Sequence, residues 1–551
     1  MKKATKLIAI ISMVTILATA FAACGGSGNR VEHDGKEFTF WTTMDSQSVR
    51  SKLESYDDML MFQELEKRTG VHINFQHPVA GADGNEAFIG MINSDNRAEL
   101  VQYSWNGYPG GAQQAIDDGV IIALDDYLKD YAPNFYACVE GDPEHFIFKE
   151  GLSTVENAKL WKLQATSSEG QFYGFNVLNI GTTRSFGGLY VRGDLLKKWG
   201  MEIPQTIDDW TAIFAKAKSE GFEKPFTSGI GPLSHTSYGE QSFNTAFGVG
   251  KGAYVEDGKV VYAPFQPGYK EYVAQMAEWA KAGYIDPGFV TNESEVIKSN
   301  ITNGISVASW GWIGGGLGTI IPAGRETNPD FDLVACPHPA MADGTPAQYQ
   351  MTYNEASEVA IAITYNCGNY EKAMEWVDYR YSKEGAELNI FGVEGDTFTK
   401  EESEELGRTV YTYTDKIVNP DPTKFNSVEE ALYHYMLPCN HPGFNQHPDY
   451  LNGYYPYESQ KKAVETWNLA IEASKKHAIP SLGFTQDELE GIADVEEVAK
   501  APLEAALCNI ILGKASIDTY DEALAAAKPH YDKYIEIQQA AYDRYLAKVN
   551  A

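Results

Sequence analysis

Apolar residues recur along this chain with two alternating periods. Phe38-Thr39-Phe40-Trp41 alternates with period two, MLMFQELEKRTG then sets Met59, Phe62 and Leu65 at helical spacing and stops at Gly70, and Val71–Phe75 alternates again. Strand, helix, strand is the βαβ unit of a mostly parallel sheet. Ala98–Tyr103 reads as a short strand ending at Ser104-Trp105, and GVIIALDDYLKDYAPN as a strand edge turning into a short helix. Thr206 is a helix N-cap, followed by Trp210, Ile213, Phe214 and Ala217 on one face; Tyr272, Met276 and Trp279 line another helix that ends near Gly283. Ser306–Trp310 is strand-like. From about Tyr370 the pattern is mainly helical, and Tyr531, Ile535, Gln538, Tyr542 and Tyr545 form one stripe of a closing helix. No internal repeat or low-complexity linker divides the chain, so its parts are joined by several short crossovers.

The 551 residues exceed what one hydrophobic core serves, which predicts at least two α/β lobes. The first residues change the address. A basic start at Lys2, Lys3 and Lys6 precedes an apolar run from Leu7 to Leu17, shorter than the roughly 20 residues a bilayer crossing needs, so residues 1–23 read as an export signal. Phe21-Ala22-Ala23-Cys24 resembles the lipobox of bacterial lipoproteins, with Phe21 where that motif has an aliphatic residue; Ala20-Phe21-Ala22 is also an A-x-A cleavage pattern. The expectation is lipidation at Cys24 and a flexible tether over residues 24–34, placing the protein on the outer face of the membrane. Cys138, Cys336, Cys367, Cys439 and Cys508 are scattered and odd in number, which predicts single thiols rather than a disulfide framework or a zinc site.

A formal charge of −32 argues against nucleic acid as a partner. Aromatic residues make up 12% of the chain, Tyr above all, which suits either a ligand recognised by stacking and hydroxyl contacts or a Tyr-rich core.

Several segments, in order along nearly the whole chain, carry a resemblance: FTFWTTMDS, LEKRTGVHINFQHP, AELVQYSWNGY, GQFYGFNVLNIGTTRSFGGLYVRGDLLKKWGMEIPQTIDDW, AGYIDPGF, NGISVASWGW and EASEVAIAITYNCGNYEKAMEWVDYRYSKEGAELNIFGVEGDTFT. They resemble the extracellular solute-binding proteins of ABC sugar importers, in the branch of maltose-binding proteins and Gram-positive lipoprotein sugar binders. The resemblance implies a two-lobed periplasmic-binding-protein-like fold with an interlobe cleft, two or three hinge crossovers and a helix-rich C-terminal part. Lobe 1 is then expected over 35–180 and 288–348, lobe 2 over 181–287 and 349–551, with crossings near Leu178–Arg184, Asp286–Val290 and Tyr349–Ala356. It also implies no catalysis and no cofactor; the expected protein is a monomer that closes on an oligosaccharide and delivers it to permease subunits.

Sugar rings stack on aromatic faces while their hydroxyls need paired polar partners. Four stretches combine the two: Trp41 with Gln47; Trp105, Asn106 and Tyr108; Trp310 and Trp312, at the segment where maltose-binding relatives place a stacking tryptophan; and Tyr353, Asn354 and Glu355 in a predicted crossover. Arg184 is a candidate for a hydroxyl pair or a carboxylate, or equally for a hinge salt bridge. HPGFNQHPDYLNGYYPYESQ, with Tyr450, Tyr454, Tyr455 and Tyr457, is expected over one end of the cleft, and Trp467 beside it. Each of these rings is also a candidate core residue.

No G-x-S-x-G, H-E-x-x-H or P-loop motif occurs. His441 and His447 with Asp449 sit in a proline-broken loop without metal-ligand spacing and read as surface histidines; no alternating Asp/Asn run suggests a calcium loop. A secreted glycoside hydrolase and a peptide-importer component are the alternatives.

Overall fold

The computed structural model describes residues 30–44, 52–79, 81–142, 148, 154–181, 183, 185–236, 238–350 and 356–550. Cys24, Gln47, Arg184, Tyr353, Asn354 and Glu355 lie outside them. The strands are β1 (Glu37–Thr42), β2 (His72–Gln76), β3 (Leu100–Ser104), β4 (Phe175–Asn179), β5 (Gly187–Arg192), β6 (Ala253–Glu256), β7 (Lys259–Tyr262), β8 (Ala308–Trp312), β9 (Leu333–Ala335), β10 (Ala356–Ile363), β11 (Phe398–Ser403), β12 (Arg408–Tyr413) and β13 (Gly443–Asn445).

Six strands form the larger sheet, in the order β13-β4-β10-β3-β1-β2. β2, β1 and β3 are parallel, as the βαβ pattern requires, and the helix Leu60–Thr69 between β1 and β2 ends on Gly70 at φ 69°. β10 lies antiparallel between β3 and β4. Alternate residues serve opposite faces: Phe40, Leu100, Ile361 and Ile363 enter the main core of this lobe, whereas Trp41, Val101, Ala360 and Ala362 enter a smaller core with Phe88 and Trp105. Residues 360–363 are buried on both sides, which is why that segment is a continuous apolar run.

The second sheet has the order β8-β5-β9, both neighbours antiparallel to β5. Leu189, Val191, Ala308 and Trp310 pack on one face with the helices Ile207–Ser219 and Tyr269–Lys281; Tyr190, Leu333 and Ala335 pack on the other. Thr206 caps its helix through a reciprocal box with Asp209.

Strand pairing corrects the expected lobe division. β8 and β9 flank β5, so residues 288–335 stay with 187–287 in the second lobe. The chain returns to the first lobe at β10 and remains there through β13, with β11 and β12 paired in a hairpin of their own. Crossings therefore fall over 180–186, 336–355 and 446–457. Asp286–Val290 is not one of them: Asp286 is buried inside the second lobe, accepts from Gly288 N, Thr227 Oγ1, Asn292 Nδ2 and Asn300 Nδ2, and pairs with Lys224 at 2.8 Å. Burial alone would raise its pKa; Lys224 and these donors hold it below the ordinary carboxylate range.

The final helix, Tyr520–Asn550, ties the lobes together. Its first half enters the second-lobe core, with Tyr531 4.2 Å from Tyr262. Near its end Lys548 donates to Ser168 O, and Arg544 forks onto Glu488 at 2.7 and 2.6 Å. His441 and His447 are buried, which corrects the surface reading. His441 Nδ1 meets Gln102 Nε2 at 2.9 Å, and His447 Nδ1 accepts from Asp449 N at the start of the helix Pro448–Tyr454. Among the described residues no helix is long and apolar enough to cross a membrane.

Candidate ligand-binding cleft

A glycine on β5, Gly187, explains where the paired tryptophans of β8 stand. Gly187 lies opposite Trp312, and a Cβ there would meet Trp310 at 2.8 Å and Trp312 at 3.1 Å. Without one, both rings lie over the β5 backbone, edge to face at 5.0 Å and 83°. Trp310 is 6% exposed and donates from Nε1 to Gln241 O at 3.0 Å, so its polar atom is already used. Trp312, at the end of the strand, is 38% exposed. The glycines after it open a turn in which Gly314 packs directly against the Tyr454 hydroxyl.

Trp312 forms part of the wall of a cavity of about 390 Å³ between the two lobes. The second lobe contributes Phe186, Trp312, Gly314, Gly315 and Tyr455, the last packed in its core; the opposite wall brings Glu429 and Tyr433 from the helix Val428–Tyr435, Cys439, Asn440 and Gln446 from the following turn, and Tyr450 and Tyr454. Tyr450 and Tyr454 stack at 5.3 Å and 15°. Burial raises the phenols of Tyr433, Tyr450 and Tyr454 well above their ordinary pKa, so each remains a neutral hydroxyl able to donate and accept. The side-chain amide oxygen of Gln446 is buried and has no hydrogen-bond partner among the described residues. Rings with hydroxyl, amide and carboxylate groups around an apolar floor suit a polyhydroxylated ligand with apolar C–H faces.

Other residues expected in the cleft are elsewhere. Trp41 packs on Phe88 and Tyr103 within the first lobe. Trp105, 1% exposed, is sealed against Phe88, and Tyr108 is buried with its hydroxyl donated to Asp118. The sequence around Trp105, Ser-Trp-Asn-Gly-Tyr-Pro-Gly-Gly, is polar and glycine-rich, and the ring is covered instead by residues distant in sequence, Phe88 among them. Asn106 opens onto a separate hollow with Gln113, Gln164 and Phe484. Trp467 is fully buried in the second lobe, where its Nε1 is shared by Leu189 O and Cys336 O at 3.1 Å each. Glu429, Tyr433, Asn440, Gln446 and Phe186 were not singled out from the sequence. The signal for the turn was its Cys-Asn-His-Pro-Gly composition, and Asn440 and Gln446 both take positive φ, 63°. A further hollow of about 480 Å³ lies beyond β1 and β2, between Met44, Leu53 and His77.

The turn after β8 predicts a contrast between neighbours. A Cβ on Gly314 would collide with the Tyr454 phenol, whereas one on Gly315 would sit 3.7 Å from Glu429, an ordinary contact. Gly314→Ala is therefore expected to displace Tyr454 and weaken ligand binding by about tenfold, roughly 1.4 kcal/mol, with Gly315→Ala close to neutral. Calorimetric titration of both variants checks this, and equal effects would refute it.

Residues 51–387 match the sequence profile of the family described as bacterial extracellular solute-binding protein. The fructooligosaccharide ABC transporter substrate-binding protein FusA of Streptococcus pneumoniae serotype 4 is 23% identical, with 98% of each chain covered. Among solved structures, FusA in complex with kestose superposes with a TM-score of 0.68 at 19% identity, covering 93% of this chain and 100% of that one. The alginate-binding protein AlgQ2 without calcium ion gives 0.70 at 16% identity, over 94% and 99%. A solute-binding protein from Bifidobacterium longum infantis, described as binding HMO, gives 0.69 at 14%, over 93% and 99%.

Proposed function

Because this chain belongs to the bacterial extracellular solute-binding proteins, we propose that it captures an oligosaccharide between its lobes and passes it to the permease of an ABC importer. The observation that carries the reading is the interlobe cavity, where the exposed ring of Trp312 on one lobe faces a cluster of phenols on the other wall. The names of its relatives, FusA above all, support a carbohydrate. Contacts supplied by both walls are complete only when the lobes are together, so the sugar shifts the population toward the closed form. The three crossings make that motion a hinge. In this reading the protein acts as a monomer, held to the outer membrane face by a lipid on Cys24.

Glycoside hydrolysis in its usual form needs two carboxylates roughly 5 to 9.5 Å apart across one bond. Among the described residues lining this cavity the carboxylate is Glu429, and the family to which the chain belongs is one of solute-binding proteins, which favours a binder. The test is a thermal-shift screen of the mature protein against oligosaccharides and peptides, with chromatography of the recovered ligand. A hundredfold excess over Kd adds about 2.7 kcal/mol to stability. A raised melting temperature with glycans returned at full length is expected; shortened products, or stabilisation by peptides alone, would overturn the proposal.

A further inference from the structure

The ring of Trp312 is shared by two cavities. Besides the interlobe cavity it borders a second, of about 230 Å³, that continues along the second lobe past Trp310. That cavity is walled by Glu240, Asn292, Glu293, Glu295, Lys298 and the two tryptophans, together with backbone of the glycine turn. One pyranose or furanose ring cannot fill both cavities. A chain of linked sugars can, and the second cavity would take the residues beyond those held by Tyr450 and Tyr454.

The charge of the two cavities is one-sided. Among the described residues lining them, carboxylates stand at Glu429, Glu240, Glu293 and Glu295, against one basic side chain, Lys298, and no arginine. Lys251, wholly buried behind the wall, spends its ammonium on the carbonyls of Gly231, Pro232 and Glu240 and so offsets Glu240 rather than facing the cavity. Glu293 and Glu295 are exposed at the rim. Recognition of a carboxylate sugar calls for a guanidinium fork or a cluster of ammonium groups. The second cavity presents the reverse.

Building on the carbohydrate reading, we infer that the cavity beside Trp312 is a subsite for an extended glycan without negative charge, and that Glu293 and Glu295 exclude uronate-bearing chains. Sugar hydroxyls accept this wall readily, since carboxylates, Asn292 and the backbone offer hydrogen-bond partners without demanding a counter-charge. An anionic ring in that cavity would meet the like charges of Glu293 and Glu295 at its rim, a repulsion that salt screens over about 8 to 10 Å at 0.10–0.15 M.

The experiment is calorimetric titration of the full mature chain with neutral oligosaccharides of two to six residues and with uronate oligosaccharides of matched length, at low and at 0.5 M salt. Affinity for the neutral series should rise at least tenfold from the disaccharide to the length that spans Trp312 and then level off. Uronate chains should bind at least tenfold more weakly at low salt. The Glu293→Gln/Glu295→Gln double variant, or high salt with the unaltered protein, should narrow the ratio of neutral to uronate affinity at least threefold, and an unchanged ratio would overturn the role given to these two carboxylates. Uronate chains binding as tightly as neutral ones would overturn the inference and leave the carbohydrate reading standing. So would a disaccharide binding as tightly as a hexasaccharide. If no glycan of either charge binds, both fall together.

Discussion

Replacing Trp467 by alanine is expected to lower the unfolding free energy of the protein by about 4 kcal/mol, in the range for emptying a fully buried Trp site. The ring sits over Gly188, where a Cβ would come within 2.6 Å of its indole nitrogen, and that nitrogen satisfies two carbonyls, Leu189 O and Cys336 O. Removing it leaves a cavity on the face of β5 opposite to Trp312 and takes one donor from each carbonyl, Leu189 O keeping its bond from Cys336 N at 2.8 Å. Urea unfolding followed by circular dichroism measures the loss. Trp467→Phe should recover part of the packing but neither hydrogen bond. An alanine variant with unchanged stability and reduced glycan affinity would return Trp467 to the cleft and contradict the packing described above.

Replacing Trp312 by alanine should do the opposite: little change in stability of the ligand-free protein, and a loss of about 2 kcal/mol in binding, close to thirtyfold in Kd. The ring is 38% exposed and borders both cavities, so truncation removes stacking surface rather than core. Anchoring aromatics of this kind dominate small interfaces. Trp312→Tyr should keep much of the affinity, because the apolar face survives. Titration against whichever oligosaccharide the thermal screen selects decides it, and an affinity within twofold of the parent would remove Trp312 from the ligand's path. The two variants together separate the two faces of one strand: one ring holds β5 in place, the other is what β5 presents.

Much of the fold was legible because its signals are local. Thr206 ahead of an amphipathic run predicted the helix and its cap, Gly70 predicted the stop before β2, and alternation predicted β1, β2 and β8. Which strands pair was not legible. The run at 356–363 announces a strand buried on both sides, but nothing local says that it inserts between β3 and β4 after the chain has built the second lobe. The same limit moved one expected crossing from Asp286 to the stretch after β13. Asp286 looks like a hinge turn in sequence, whereas in the fold its partners arrive from residues 224, 227, 292 and 300.

The site divides in the same way. Spacing two at Trp310 and Trp312 on a strand determines that the rings share a face, and the Gly-rich stretch after them determines that the chain turns there. Composition carries a charge of −32, which argues against a polyanion as partner, and an aromatic share of 12% that suits stacking or a Tyr-rich core equally. Exposure was decided only in three dimensions. Trp105 has polar and glycine neighbours in sequence yet is buried by Phe88 and the sheet behind it, while Trp312 stays open because the residues that face it, Tyr433, Tyr450 and Tyr454, lie across a gap of about 390 Å³. The physical reason is that burial is a sum over neighbours distant in the chain. Periodicity sets the direction in which a side chain points, and only the packing of the lobes sets what it meets.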